Sequence, residues 1–153
     1  MVLIMGSKTS LTDTFGRVHD YLRISITEHC NLRCTYCMPE EGIQFTPKSH
    51  LMTADEIIHI AKTFVDYGVK KIRLTGGEPL VRKDVKEIIL ALGKLNVDLT
   101  ITTNGILAHN FIETFKTAGI KTVNISIDSL EKDKFNAITR RNYFDEVQKN
   151  IDL

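Results

Sequence analysis

The chain lacks any long apolar run. Its longest, such as Ile88–Leu92, are only a few residues, far short of the roughly 20 needed to span a bilayer. It also lacks an excess of either charge, with Lys plus Arg numbering 20 and Asp plus Glu 19. That balance excludes a general field for nucleic acid or an anionic membrane surface, so an anion must be held by individually placed residues. No GxxxxGK loop and no GxGxxG turn is present to cradle phosphates from the backbone. Met1–Met5 is apolar, but Gly6, Ser7 and Lys8 end it at once. With no basic start and no full apolar segment it does not read as a signal peptide, and the expected compartment is the cytoplasm. No low-complexity or linker-like stretch marks a boundary, so 1–153 reads as one unit without a second domain. The 153 residues, 42% hydrophobic and 25% charged, suit a globular domain with its own core.

Cysteine is scarce too. There are three, all within the eight positions Cys30–Cys37. An odd, clustered set is a poor disulfide framework, and in a reducing compartment it points to metal binding or redox chemistry.

What is present is a repeating pattern. Residues 1–20 read as an irregular arm and 21–153 as βα units. Asp20–Thr27 alternates like a strand, and residues 28–50 form a long loop, which in a compact domain is usually functional. Thr53 and Glu56 make a capping box that opens a helix with the apolar face Ile57, Ile60, Ala61 and Phe64. Then three segments repeat one order: a helix end, Gly or Asn, an apolar residue, a strand. They begin at Gly68, Asn96 and Gly119, residues that accept the left-handed conformation past a helix end. Helices are expected at Lys83–Leu95, Ala108–Ala118 and Glu131–Ile138, with a last amphipathic segment Phe144–Val147–Ile151. This pattern predicts an α/β fold of parallel βα units, cut off after about four strands.

The strands alternate instead of being apolar throughout, as buried parallel strands usually are. Leu22, Ile24, Ile26, Ile72, Leu74, Leu99, Ile101, Val123, Ile125 and Ile127 share one parity and should pack on helices. Arg23, Ser25, Thr27, Lys71, Arg73, Thr75, Thr100, Thr102, Asn124, Ser126 and Asp128 share the other. That polar face lines either a binding cavity or the solvated side of an open two-layer sheet. Each strand ends in a polar or glycine turn, and the cysteine loop leaves from the same end, where βα folds bind ligands.

Three thiolates from Cys30, Cys34 and Cys37 can hold three irons of a cubane cluster and leave the fourth open to a substrate. A zinc site completed by His29, or merely buried cysteines, are the alternatives the spacing leaves. His19, His50, His59 and His109 read as solvated.

The spacing resembles the radical S-adenosylmethionine (SAM) signature C-x3-C-x-aromatic-C, with Tyr36 as the aromatic, and Gly76–Gly77–Glu78–Pro79 resembles that superfamily's GGEP turn. Phe15–Thr27, Met38–Gly42, Lys70–Leu80, Thr102–Gly105 and Asn124–Asp128 are similar to the MoaA family, the GTP 3′,8-cyclases that begin molybdenum cofactor biosynthesis. The resemblance implies a TIM-like barrel core in which Cys30, Cys34 and Cys37 ligate a [4Fe–4S] cluster. It implies that Tyr36, Gly76, Gly77, Glu78 and Ser126 bind SAM and that Arg23, Arg73 and Thr102 bind GTP. It further implies a lyase in which an electron from a flavodoxin- or ferredoxin-like protein cleaves SAM to a 5′-deoxyadenosyl radical that acts on the GTP ribose. Another radical SAM substrate, or a non-catalytic zinc or redox module, are the competing readings. Members of that family are about twice this long and carry a second cysteine triplet that this chain lacks. The expectation is therefore an amino-terminal part, inactive alone as a cyclase, whose open polar face favours self-association.

Overall fold

The alternating segments build a single four-stranded parallel sheet in the order β1-β2-β3-β4. The strands are β1 (Tyr21–Ser25), β2 (Lys71–Thr75), β3 (Asp98–Thr103) and β4 (Val123–Ile125) in a computed structural model that describes residues 10–39 and 41–152. The first nine residues of the expected arm, Glu40 and Leu153 lie outside the described residues. Five helices connect and follow the strands: α1 (Ala54–Asp66), α2 (Val85–Leu92), α3 (Ile112–Thr117), α4 (Lys132–Thr139) and α5 (Phe144–Ile151).

Helix α1 starts where the capping box predicts. Thr53 Oγ1 accepts the Glu56 amide at 3.2 Å, and Glu56 Oε2 accepts the Thr53 amide at 2.8 Å. Its inner face differs slightly from expectation: Ile57 and Ala61 are fully buried, but Ile58 rather than Ile60 joins the core cluster. The apolar parity of the strands, Ile24, Ile72, Leu74, Leu99 and Ile101, meets Ile57 and Ala61 of α1, Val85, Ile88, Ile89 and Leu92 of α2, Phe115 of α3 and Phe111 just before it. Burying each such side chain contributes about 1.5–3 kcal/mol. The sheet's other face is open at its edges, where Arg23, Ser25, Asn124 and Ser126 are exposed.

Several local expectations are corrected. Gly68 and Gly119 take positive φ of 96° and 71°, as helix-ending glycines should, but Asn96 does not. Helix α2 stops at Leu92, three residues early, and Gly93 keeps right-handed geometry with φ −61°. Gly93 is needed for space instead: a Cβ there would sit 2.6 Å from the Ala118 carbonyl oxygen. The segment 108–118 begins as a 3-10 turn over Ala108–Phe111. Ile151 is 43% exposed rather than packed. Residues 10–19 are ordered by a short hairpin, in which Asp13 accepts the Phe15 and Arg17 amides and Thr12 bridges Val18.

Arg82 ties the sheet to the loop before α1. Its guanidinium donates to the Ile26 carbonyl at 2.6 Å, to the Met52 carbonyl at 2.8 Å, and to Asp84 at 2.6 Å. The hydrogen bond from Arg82 holds the Asp84 carboxyl below its ordinary value. A depressed carboxyl contributes stability above its unfolded pKa and loses it as pH falls through the folded value. Asp84→Asn is therefore expected to lower the urea midpoint at pH 7, with the difference from wild type shrinking as pH falls below about 4.

Candidate functional site

The loop after β1 is placed by the backbone of β2. Parallel pairing continues past the strand ends: the Ile26 amide donates to the Thr75 carbonyl at 2.9 Å, Gly77 to Thr27 at 2.7 Å and Glu78 to His29 at 2.8 Å. This approach leaves no room for side chains on the turn. A Cβ at Gly77 would lie 2.5 Å from the His29 carbonyl oxygen and 2.6 Å from that of Glu28, and one at Gly76 would collide with the Thr27 carbonyl. The glycine pair thus serves the contact with the cysteine loop, a role the motif alone does not reveal.

The loop's far side is held by α4. The Arg33 amide donates to the Thr139 carbonyl at 3.0 Å and that of Thr35 to Ile138 at 2.9 Å. Helix α4 ends at Arg140, the one described non-glycine residue with positive φ, at 52°. Leu32 enters a second apolar cluster with Ile106, Phe135 and Val147, and Cys30 and Cys34 rest against it. Arg33 caps the loop from within, donating to the Cys30 carbonyl at 2.6 Å and that of Leu32 at 2.7 Å.

These ties gather Cys30, Cys34 and Cys37 along one cavity of about 320 Å³ at the carboxyl end of the sheet. Tyr36, Gly76, Gly77, Thr102 and Ser126 line it as well, so eight of the eleven expected site residues share this cavity. Arg23, Arg73 and Glu78 do not line that cavity. Arg23 and Arg73 are register partners lower on the polar face, and Arg73 Nη1 donates to Thr102 Oγ1 at 3.2 Å. Arg23 Nε donates to the Tyr21 hydroxyl at 3.1 Å. Glu78 turns its buried carboxylate inward, accepting the Leu80 amide, the Thr103 hydroxyl and the Asn104 amide at 2.9, 2.8 and 2.6 Å. Burial raises its pKa and those three donors pull it back.

All three cysteines are free thiols. Burial raises the Cys30 and Cys34 thiols above their ordinary value, with the Leu32 amide opposing it at Cys30. Among the described residues no three His, Cys, Asp or Glu side chains converge closely enough to hold a single ion. A lone zinc needs every sulfur about 2.3 Å from one point, whereas a cubane takes one thiolate per iron. His29, the candidate fourth zinc ligand, stacks on Phe45 at 4.3 Å between ring centroids and lines a different cavity. Sharing one cavity, Cys30, Cys34 and Cys37 are a donor set that fits a cubane, one thiolate per iron.

Three site residues were not singled out by sequence. Asp128 accepts the Tyr36 hydroxyl at 2.9 Å, and burial followed by this bond keeps that phenol protonated well above its ordinary range. Asn104 donates toward Cys30 Sγ, and Asn31 accepts from Asn104 at 2.6 Å. The turn Thr103–Asn104–Gly105 was visible as a strand end, but nothing in it signalled a link to the cysteines.

Gly77→Ala is expected to cost about 1–3 kcal/mol or more in chemical denaturation, since backbone rather than a movable side chain meets the new Cβ. Phe135→Ala is expected to cost about 3–5 kcal/mol and to quicken alkylation of Cys30 and Cys34, read by mass spectrometry.

Residues 24–153 match the family model of the radical SAM superfamily. The chain is 54% identical over 144 residues to the mitochondrial GTP 3′,8-cyclase of Arabidopsis thaliana, covering 93% of this chain and 37% of that protein. It is 50% identical to the GTP 3′,8-cyclase of Listeria welshimeri, covering 92% and 43%, and 49% identical to molybdenum cofactor biosynthesis protein 1 of Drosophila melanogaster, covering 98% and 27%. It thus spans about a quarter to two-fifths of these relatives. In fold it matches Streptococcus suis SuiB bound to S-adenosylmethionine, with TM-score 0.63 and 23% identity over 84% of this chain and 30% of that one.

Proposed function

The chain belongs to the radical SAM superfamily, and from that premise we propose that it forms the cluster- and SAM-binding part of a GTP 3′,8-cyclase in molybdenum cofactor biosynthesis. The observation that carries the reading is the shared cavity of Cys30, Cys34 and Cys37 with Gly76, Gly77 and Ser126. The superfamily uses a [4Fe–4S] cluster and SAM, and these three thiolates are the residues to hold the cluster. When bound, the cluster supplies the electron that cleaves SAM to a 5′-deoxyadenosyl radical. Its source is external, a flavodoxin- or ferredoxin-like protein, and a cytoplasmic setting would keep the thiols reduced.

The protein's own work is placement. Gly77 and Ser126 offer polar backbone and hydroxyl groups to the methionine end of SAM, and Tyr36, fixed by Asp128, walls the same side. Glu78 supports the turn from behind, its carboxylate bracing β3 against it. Arg23 and Arg73 supply the anion-binding charge for the GTP phosphates. They lie four residues below Gly77 on the strand line, ~13 Å at 3.3 Å per residue, a span suited to a nucleotide with its sugar near the cavity and its phosphates below. Arg73 Nε is buried without a hydrogen-bond partner, which costs about 1–3 kcal/mol unless a ligand oxygen satisfies it.

Anaerobic reconstitution with iron and sulfide is expected to load about four irons and to fail with Cys34→Ala. The loaded chain is expected to release 5′-deoxyadenosine from SAM under dithionite. Arg73→Ala is expected to weaken GTP binding about tenfold to a hundredfold by calorimetry while SAM binding holds. Stoichiometric zinc, with no iron–sulfur absorbance, would overturn the reading.

A further inference from the structure

Asn104 is 8% exposed and each end of its side chain is committed. Its Oδ1 accepts the Ile106 amide at 3.1 Å, so its Nδ2 must face the other way. There Nδ2 donates to Asn31 Oδ1 at 2.6 Å and toward Cys30 Sγ at 3.9 Å. Its backbone is equally fixed, with its amide on the Glu78 carboxylate at 2.6 Å. The next residues are held by Asn150 Nδ2, which donates to the Gly105 and Ile106 carbonyls at 2.9 and 3.0 Å.

We propose that Asn104 is a positioning residue that aims Cys30 at the cluster and, by donating to its sulfur, makes the cluster easier to reduce. The inference rests on the cluster reading above. As a thiol, Cys30 reaches Asn31 Oδ1 at 4.0 Å as a weak donor. As a cluster thiolate it has no proton to give, and that oxygen becomes an unfavourable neighbour. The two N–H groups of Asn104 resolve this, one for the oxygen and one for the sulfur. The Leu32 amide, 3.3 Å from the same sulfur, is the other donor, but it belongs to the backbone. Hydrogen bonds to cluster sulfurs favour the more negative, reduced state. The reach of Asn104 also couples two parts of the site. Glu78, beside the SAM-facing glycines, holds the amide of the same residue whose side chain holds Cys30.

The test compares wild type with Asn104→Ala, which has no donor, and Asn104→Ser, which keeps a shorter one. Each full chain is loaded anaerobically, assayed for iron, and titrated for cluster midpoint potential by electron paramagnetic resonance. The unloaded chains are melted in parallel. The expected order of potential is Asn above Ser above Ala. From Asn to Ala the reduction equilibrium constant is expected to fall about tenfold, or ~59 mV for one electron. A merely structural role would lower the melting temperature and leave the potential of the loaded fraction unmoved, which overturns the proposal. If both variants lose the cluster while their unloaded melting is unchanged, the aiming role is supported. If melting collapses as well, the proposal fails. A wild-type chain that takes up no cluster would sink the cluster reading itself, a result distinct from a loaded cluster with unchanged potential.

Discussion

Everything at the carboxyl end of the sheet depends on how closely two backbones pass. The turn after β2 runs against the start of the cysteine loop so tightly that Gly77 has no space for a methyl group, with carbonyl oxygens of Glu28 and His29 within 2.6 Å of where it would sit. That proximity lets the Gly77 and Glu78 amides extend the β1–β2 pairing to Thr27 and His29. Each such bond is worth about 1 kcal/mol net, but leaving a buried amide unpaired costs more. Cys30 is the residue after His29. Its backbone is therefore placed by the extended pairing of β1 with β2.

The rest of the loop is fixed from the opposite side. Helix α4 lends its last carbonyls to Arg33 and Thr35, and Phe135 supplies the floor on which Leu32, Cys30 and Cys34 rest. Glu28 accepts from the amide and hydroxyl of Thr46, which returns the outer half of the loop to the sheet. A long loop thus becomes ordered without secondary structure of its own, because each stretch borrows partners from a rigid neighbour. Preorganisation of this kind lowers the entropic cost of assembling a multi-atom cofactor.

The sequence made some of this legible and concealed the rest for identifiable reasons. Period-two alternation gave all four strands and told which side chains share the polar face, because backbone geometry alone sets that parity. The capping box at Thr53 and Glu56 is likewise a local signal, and it appears in full. Asn96 misled because helix α2 already stops at Leu92, so Asn96 does not sit just past the helix end and needs no positive φ. Glu78 was legible as a motif residue but not as a brace, since no local rule tells which way its carboxylate turns. Asn104 was hidden for a related reason: its partners, Asn31 and Cys30, lie more than seventy positions away. His109, expected to be solvated, is exposed, and it also meets the Asn150 amide at 3.2 Å.

The polar face itself carries an electrostatic argument. Arg23 and Arg73 are neighbours in register across β1 and β2, two cations side by side. Lys71, one step lower, is neutralised by Asp98 at 2.9 Å. No described carboxylate forms an ion pair with either arginine. Their contacts are a tyrosine hydroxyl and ring for Arg23, and a threonine hydroxyl for Arg73. Adjacent like charges on paired strands repel and destabilise the sheet. A fold that merely needed solubility would pair them, as it pairs Lys71 with Asp98. The arrangement is balanced once an oligoanion lies across both guanidiniums, whose forked donors suit phosphate oxygens. On the proposed reading, these two side chains are the described cations placed to meet the phosphates of the substrate.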